Sequence, residues 1–482
     1  MEARILDEFL SIVGASGLIT EPEQLSTYEC DGLTMFRVVP LAVLLPTSTE
    51  QVQAVVRVCY REKIPFVARG SGTGLSGGAL PVANGVVISL ARMNRILEVD
   101  LPNQRVVVEP GVINLNVTAR VAPDGYFFAP DPSSQLVCSI GGNVAENSGG
   151  AHCLKYGFTT THVLGMEVLL PDGSLIHLGG RTVDRPGYDL PGVFVGSEGT
   201  LGIATKVILR IVKKPEVIQV LLAAFNSTNE AGAAVSGIIA AGMLPAAIEM
   251  MDNLAIQAAE AAVQAHYPDC GGLLLVELDG PAAEVETLME EVGEVCTKCG
   301  AWEIRVAQSD AERARVWTGR KAAFAAVGRL APAYIVQDGV IPRTALPQVM
   351  SEIERLSSEV GLRVANVFHA GDGNLHPLVL YDSSVPGQPK AAENLANEIL
   401  RLCIKAGGSI TGEHGVGEEK KMFMAEMYAE PDLATMQLVR CAFDPENLSN
   451  PEKMFPRPRL CGEKPGVYEP HPLEVAGVAQ RF

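Results

Sequence analysis

Three of the eight histidines in this 482-residue chain lie in two short glycine-rich segments, FHAGDGNLHP (368–377) and GGSITGEHGVGEEK (407–420). The first places His369 and His376 on either side of an Asp-Gly turn, between the strand patterns RVANVFH and LHPLVLYD. A hairpin there would bring both imidazoles to one end of a sheet. The second segment places Glu413 and His414 between glycines. Two imidazoles and a carboxylate suit a transition metal, and a further imidazole suits acid–base work. The alternative is a pair of exposed hairpin histidines and an unrelated helix-capping Glu.

A third segment, RGSGTGLSGG (69–78), has five glycines in ten positions. A dinucleotide fingerprint would need a helix directly after the glycines, but ALPVANGVVISL follows, with a Pro and an Asn-Gly turn before a β pattern. A Walker A loop would need Gly-Lys-Ser/Thr, which is absent from the segment. Two interpretations remain: a tight turn between strands, or a nest of backbone N–H groups around a diphosphate.

Two more glycine clusters, SIGGNVAENSGG (139–150) and GSEGTLGIAT (196–205), favour the nest over the turn. Turns alone do not account for three small-residue loops in one region. Glycines allow a ligand to approach the backbone closely. The three loops together predict a long, flat ligand lying along the backbone of this region.

The segments PFVARGSGTGLSGGALP, DPSS with SIGGNVAENSGG, and VGSEGTLGIAT resemble the FAD-binding domain of the vanillyl-alcohol-oxidase/para-cresol-methylhydroxylase superfamily. The resemblance implies a pyrophosphate held by the residues of the first loop, which are Arg69, Gly70, Ser71, Gly72, Thr73, Gly74, Leu75 and Ser76. It also implies contacts along the diphosphate and flavin from Pro130, Ser133, Ser139, Gly141, Gly142, Asn143 and Ala145. Around the isoalloxazine or adenine end it implies Glu198, Gly199 and Ile203. Some members bind flavin covalently through a His of the phosphate loop; this loop has neither His nor Cys, so we expect non-covalent FAD.

The pattern HxGDGNxH with GEHG resembles the D-2-hydroxyacid dehydrogenase branch of that superfamily, most of all its glycolate dehydrogenase FAD subunits, over roughly residues 20–457. The resemblance implies hydride transfer from a 2-hydroxy acid to flavin N5 and a divalent metal (Zn, Mn or Fe) on His369, His376 and Glu413. His414 is then the candidate base, with His369 also among the catalytic residues. Arg320 is the candidate clamp for the substrate carboxylate, and Arg343 is a second candidate. Without the resemblance, Arg320 could equally form a surface salt bridge on a charged helix.

Two departures from the branch concern the substrate. The 2-hydroxyglutarate enzymes carry an Asn two residues after the second His, where this chain has Leu378. They also carry a Lys near the YIVQDG strand, where this chain has Val336 or Gln337. Both departures favour a short substrate, glycolate or D-lactate. The alternatives are a D-lactate-specific dehydrogenase, a catalytically silent FAD-binding subunit, and a non-redox relative of ether-lipid synthases.

Strand and helix patterns predict an α+β fold with four parts. We expect an N-terminal helical segment (1–37), a two-subdomain FAD-binding domain (38–214) and an α+β substrate or cap domain (215–457), followed by a tail (458–482). The substrate domain should contain an antiparallel sheet and a C-terminal helical segment. Each boundary follows a change in the hydrophobic pattern or a proline.

Charge and hydrophobicity limit the partners. The net charge of −18 argues against nucleic acid, and we find neither a signal peptide nor an apolar run long enough to span a bilayer. We therefore expect a cytoplasmic protein. The resemblance implies an iron–sulfur electron-transfer subunit and a second FAD subunit as partners, with peripheral attachment at the inner membrane through them.

Overall fold

The structure, a computed structural model, describes residues 1–182 and 186–456. The predicted tail, 458–482, and residue 457 of the predicted substrate domain lie outside the described residues. Within the described part, no helix combines the length and the apolar character needed to cross a membrane.

The first sheet has four strands, in the spatial order Leu18–Ile19, Ala42–Leu44, Val86–Ser89 and Phe66–Arg69. The third of these is parallel to both the second and the fourth. The crossover helix, Thr49–Glu62, begins after Ser48, whose hydroxyl accepts the N–H of Gln51 at 3.3 Å, as expected for an N-cap. The predicted N-terminal helical segment contains helices Ala3–Val13 and Pro22–Leu25 but also contributes the strand Leu18–Ile19. It is therefore part of this sheet and not a purely helical segment.

The second sheet is antiparallel and has five strands, in the order Ile96–Asp100, Arg105–Val108, Ile203–Arg210, Val163–Leu169 and Leu175–Gly179. The last two form a hairpin. The sequence THVLGMEVLLPDGSLIHLGG predicts this hairpin, because Pro-Asp-Gly lies between two alternating strand patterns. Helix Asn114–Val121 packs on this sheet through Val117 and Val121, which are fully buried. A second helix, Ile140–Glu146, forms where the glycine pattern of 139–150 suggested only a loop. Shorter elements complete this half: helices Cys153–Tyr156, Thr159–His162 and Leu190–Phe194, and the strand pair Tyr126–Phe127 with Val212–Lys213.

The third sheet fills the second half of the chain, and all its pairings are antiparallel. Its main path runs Glu303–Val306, Val217–Phe225, Gly272–Gly280, Ala247–Asp252, Val364–His369, Asn374–Leu375 and Gly339–Val340. Pro377–Tyr381 pairs with Val364–His369 and with Ala333–Val336.

Helices cover both faces of the third sheet, which explains its almost continuously apolar strands. In VIQVLLAAF, Leu221 and Phe225 pack into the core on one face, while Val220 and Leu222 pack into the core on the other. The first face carries helices Thr228–Ala240, Ala282–Lys298, Leu346–Val360 and Gln388–Lys405; the second carries Asn253–Val263 and Asp310–Val327. The predicted α+β class with an antiparallel sheet is confirmed.

After the helix Glu430–Phe443, residues 448–450 return to the first sheet. The N–H of Phe66 donates to the carbonyl of Leu448, and the N–H of Asn450 donates to the carbonyl of Phe66. The last described residues therefore pack beside the strand that leads into the first glycine loop.

Candidate functional site

The first two glycine loops touch each other. A Cβ at Gly70 would lie 2.2 Å from Oγ of Ser139 and 3.4 Å from the backbone nitrogen of Gly142, so a larger residue does not fit. Gly72 has φ +68°, a conformation that L side chains rarely adopt. The loop that follows Phe66–Arg69 is therefore pressed against the start of helix Ile140–Glu146 as bare backbone.

These loops line a cavity of about 660 Å³. Every residue predicted to bind the cofactor lies on its wall, with two exceptions, Ser76 and Pro130. The wall also includes residues from the second half of the chain, among them Phe324, Val336, Glu413 and His414. The cavity thus runs from the glycine loops to the segment that carries the predicted base. A glycine-lined cradle of this shape fits a dinucleotide such as FAD, because backbone N–H groups can reach phosphate oxygens at close range.

The two exceptions lie behind the wall. The carbonyl of Ser76 accepts the N–H groups of Glu418 and Glu419 at 2.9 and 3.1 Å. The carbonyl of Pro130 accepts Nδ2 of Asn114 at 3.1 Å, which also donates to Oδ1 of Asn143 at 2.9 Å. Both residues support the cavity from outside.

Some cavity residues direct their side chains elsewhere. Nη1 of Arg69 donates to the carbonyl of Cys30 at 2.8 Å, so its guanidinium is tied to the N-terminal segment. Ser139 accepts the N–H of Gly142 at 3.3 Å and caps the helix that the sequence pattern had not predicted. Backbone N–H groups of the second half of the chain donate to the carboxylate of Glu198, so this carboxylate is already hydrogen-bonded.

The predicted hairpin brings the two histidines of HAGDGNLH together. His369 ends the strand Val364–His369 and pairs with Asn374, and the ring centroids of His369 and His376 are 5.0 Å apart. Nε2 of His369 and Nε2 of His376 lie 3.3 and 3.4 Å from Oε1 of Glu413. His414 stacks on His376 with ring centroids 5.1 Å apart. The structure thus gathers all four predicted residues at one end of the third sheet.

Glu413 lies close to the second glycine cluster, residues 139–150. A Cβ at Gly149 would lie 2.9 Å from Oε2 of Glu413, so the end of the second glycine cluster leaves room for this carboxylate. The cluster of His369, His376, Glu413 and His414 is therefore bordered by both halves of the chain.

Glu249 was not among the predicted residues, yet it lies beneath the cluster. Its carboxylate, on strand Ala247–Asp252, accepts a hydrogen bond from Nδ1 of His369 at 2.8 Å and forms an ion pair with Nη2 of Arg320. All three side chains are at most 6% exposed. Arg320 lies behind the cavity wall and not on it, although its Nε atom has no hydrogen-bond partner among the described residues. Arg343, in the turn Arg343–Ala345, is likewise not on the wall.

The pKa values reflect these contacts. Burial would raise the pKa of Glu249, but the charges of Arg320 and His369 lower it below its usual range. Burial would lower the pKa of His369, but Glu249 and Glu413 raise it well above its usual range. For Glu413, burial is outweighed by the neighbouring imidazoles of His369 and His376, which lower its pKa. These carboxyl groups are therefore ionised at neutral pH.

His414 is in a different environment. Burial lowers its pKa to about 4, more than Asp338 beside it raises it. The imidazole is therefore neutral at pH 7, the form that can accept a proton.

Two sets of side chains have donor atoms close enough to hold a metal ion: His369, His376 and Glu413, and Asp338, His376 and His414. Both ring nitrogens of His376 are buried without a hydrogen bond among the described residues. The first set offers two imidazole nitrogens and an ionised carboxylate, a donor set that fits Zn, Mn or Fe.

Two family models match the chain. The model described as "FAD binding domain" matches residues 40–179. The model described as "FAD linked oxidases, C-terminal domain" matches residues 214–454. The first range contains the two touching glycine loops, and the second contains the histidine cluster.

Curated relatives match over most of the chain. The glycolate oxidase subunit GlcD of Escherichia coli (strain K12) is 50% identical over 450 residues, 93% of this chain and 90% of the relative. The D-lactate dehydrogenase of Anaerostipes hadrus is 33% identical over 426 residues, 86% of this chain and 89% of the relative.

Solved structures share the fold at low identity. The 4-ethylphenol oxidase from Gulosibacter chungangensis superposes with a TM-score of 0.80 at 20% identity, covering 95% of this chain and 97% of the other. The motifs of the sequence agree with the cavity that both halves border. They also agree with the two family models and with the relatives that span most of the chain. The chain belongs to the FAD-linked oxidases.

Proposed function

We propose that this protein oxidises a short 2-hydroxy acid, glycolate or D-lactate, to the 2-oxo acid with FAD as the oxidant. The observation that carries the proposal is the shared wall of one cavity, where the glycine loops of the first half meet Glu413 and His414 of the second. A cofactor cradle that ends at a neutral imidazole and an ionised carboxylate is suited to removing a hydroxyl proton. The curated relatives include both glycolate oxidase subunits and D-lactate dehydrogenases.

FAD, when bound, supplies the acceptor for the hydride that leaves the α-carbon. The first loop would hold its diphosphate through backbone N–H groups and the hydroxyls of Ser71 and Thr73, which lie on the cavity wall. We propose that this binding is non-covalent, since residues 69–78 contain neither His nor Cys.

The side chains of the cluster divide the remaining work. His414, on the cavity wall, accepts the proton of the substrate's α-hydroxyl. His369, His376 and Glu413 would hold a divalent metal, which supplies a Lewis acid for the hydroxyl and carboxylate oxygens. Arg320 lies behind the wall, but it is the candidate clamp for the carboxylate of the substrate, because its Nε has no hydrogen-bond partner among the described residues and Glu249 pairs with its Nη2.

The cavity wall supports a short substrate. Val336 lies on the wall, on a strand where it pairs with the fully buried Leu378. The 2-hydroxyglutarate enzymes carry Asn at the position of Leu378, and they carry a Lys at the position of Val336 or Gln337. Leu378 and Val336 are apolar. A second carboxylate would therefore find no polar partner from these two residues.

The electrons must leave the flavin to complete a cycle. The similar GlcD proteins are named as subunits, which supports partner chains here too. We propose an iron–sulfur electron-transfer subunit and a second FAD subunit, at the cytoplasmic face of the inner membrane.

An anaerobic substrate panel tests the proposal. Purified protein with bound FAD should lose its flavin absorbance on addition of glycolate or D-lactate, and L-lactate and D-2-hydroxyglutarate serve as comparisons. Bound FAD that none of these acids reduces would contradict the proposal and indicate a catalytically silent subunit.

A further inference from the structure

The segment Thr411–Gly417, which carries Glu413 and His414, is held by hydrogen bonds at every backbone N–H from 412 to 417. We call it the catalytic loop. Successive N–H groups that point to side-chain acceptors, and not to a helix or strand, are unusual for a buried segment. The acceptors come from three residues: Asp338, Thr411 and Glu198.

Asp338 holds the first half of the catalytic loop. Its carboxylate accepts the N–H groups of Gly412 at 3.1 Å, Glu413 at 3.2 Å and His414 at 2.9 Å. It also accepts the hydroxyl of Thr411 at 2.5 Å. The side chain is fully buried, directly before the strand Gly339–Val340. Three consecutive N–H groups on one carboxylate form a nest for an anion that belongs to the protein itself.

Glu198 holds the second half from the other side of the domain boundary. Its Oε1 accepts the N–H of Val416 at 2.6 Å and its Oε2 accepts the N–H of Gly417 at 2.7 Å. Gly415, between the two halves, donates to the hydroxyl of Thr411 at 3.0 Å. The backbone of Glu198 is itself fixed, because its N–H donates to Ala145 at 2.8 Å. The FAD-binding region and the catalytic loop are thereby joined through one side chain.

The glycines of the loop allow this arrangement. Gly415 has φ +88°, and a Cβ there would lie 2.1 Å from Oε2 of Glu146. Gly417 has φ +53°, and a Cβ there would lie 2.1 Å from the carbonyl of Ser76. The backbone can approach the FAD-binding region this closely only without side chains.

Asp338 is also near the histidines, with Oδ1 3.5 Å from Nε2 of His376. It could therefore be taken for a metal ligand. Its oxygens already accept four donors from the loop, and Nζ of the fully buried Lys420 lies 3.3 Å from Oδ2. A carboxylate so completely used is an anchor for the loop and not a free ligand.

We propose that Asp338 and Glu198 are positioning residues that fix His414 and Glu413 against the cofactor cavity by clamping the catalytic loop from both domains. The catalytic consequence of this inference rests on the proposed function. The ordering of the loop by the two carboxylates can be measured without turnover.

Hydrogen exchange tests the geometry. In the FAD-loaded protein, Asp338→Asn and Glu198→Gln should each speed amide exchange in peptides covering 411–417, while peptides from strand Gly272–Gly280 keep their protection. The matched control is Asp252→Asn, which removes a carboxylate that accepts the N–H groups of Ala255 and Asn366 but touches no part of the loop. Loop protection that is unchanged in both test variants, or lost equally in the control, would overturn the proposal.

A double-mutant cycle tests the catalytic consequence. With FAD bound, Asp338→Asn should lower kcat about a hundredfold, since a misplacement of about 1 Å can cost that much. In a His414→Ala background the same substitution should lower kcat by a smaller factor, because one of the two groups that Asp338 positions is already gone. Equal losses in both backgrounds would show that Asp338 acts through overall stability and would overturn its positioning role.

Thr411 gives a graded version of the same test. Thr411→Ser keeps the hydroxyl that links Asp338 to Gly415 and should lower kcat less than Thr411→Val does. Equal rates for the two variants would contradict the clamp. If the wild-type protein oxidises no 2-hydroxy acid, the proposed function fails by itself, and the exchange experiment still decides whether the two carboxylates order the loop.

Discussion

Nδ1 of His369 lies 2.8 Å from Oε1 of Glu249, at the base of a histidine cluster whose upper side reaches the cavity wall. This contact places a hydrogen on Nδ1 of His369, and Nε2 faces Glu413. The same carboxylate pairs with Arg320. One buried acid thus orients a candidate metal ligand and a candidate substrate clamp.

Glu249→Gln should therefore impair the site without touching the cavity. The amide leaves the Arg320 charge uncompensated and removes one acceptor from His369. Loss of such a supporting carboxylate typically lowers metal affinity or activity about 10- to 100-fold. We expect a fall of that size in kcat/KM, measured with a dye as electron acceptor.

Glu109→Gln is the matched control for that variant. Glu109 is also buried and pairs with an arginine, Arg95, at 2.7 Å, but it lies at the end of the strand Arg105–Val108, outside the cavity wall. It should keep the wild-type kcat/KM. Equal losses in the two variants would assign the effect of Glu249 to stability alone.

Removal of the metal should lower turnover without removing FAD. Dialysis against a chelator should lower turnover while the FAD absorbance stays, because the predicted ligands His369, His376 and Glu413 belong to the second half of the chain. Addition of Zn, Mn or Fe should restore the rate. Full turnover after chelation, with metal analysis showing none bound, would contradict a metal role for these residues.

Gly70→Ala should lower FAD content. The new Cβ would lie 2.2 Å from Oγ of Ser139, so the two loops would have to separate. Gly180→Ala is the control, because a Cβ there meets nothing within 4 Å. The ratio of flavin to protein absorbance in purified samples measures the effect. Equal ratios in the wild type and Gly70→Ala would contradict the assignment of this loop to the cofactor.

His152 should make stability depend on pH. Its ring joins the two halves of the chain, with Nδ1 2.8 Å from Asp131 and Nε2 3.0 Å from Glu277. Burial opposes its positive charge, but these two acids outweigh burial and raise the pKa of His152 well above its usual range. Its stabilising contribution is then complete below the unfolded pKa of about 6.5 and is lost as pH rises through the folded pKa.

The free energy of unfolding should therefore fall as pH rises above about 6.5, and His152→Gln should flatten that dependence. Denaturant titrations at several pH values measure it. His177→Gln, at an exposed histidine, serves as the control and should keep the wild-type slope. A slope in His152→Gln as steep as in the wild type would exclude this contact as its source.

Local patterns were sufficient to predict much of the fold. The alternation around Pro-Asp-Gly predicted the hairpin of Val163–Leu169 and Leu175–Gly179. The motif HAGDGNLH predicted that the rings of His369 and His376 lie close together. These features depend on neighbours in sequence. The resemblance supplied the rest of the predicted site, and the family matches confirm the family.

Residues whose role depends on distant partners were missed. Glu249 lies in AIEMMD, where it interrupts an apolar strand, and nothing local indicates the contact with His369, 120 positions away. Asp338 lies in QDG, which reads as a turn, yet its carboxylate binds a loop more than 70 positions later. A buried acid within an apolar strand was the available signal for Glu249, since such a group needs a partner.

Flavin reduction in single-turnover mixing of the wild type and His414→Ala with glycolate or D-lactate, without oxygen, tests the central claim most directly. Cofactor and base share one cavity, but His414 does not hold the cofactor, so both proteins should contain FAD. The flavin of the variant should be reduced at least about a hundredfold more slowly than that of the wild type. Reduction of the variant's flavin at the wild-type rate would contradict the account.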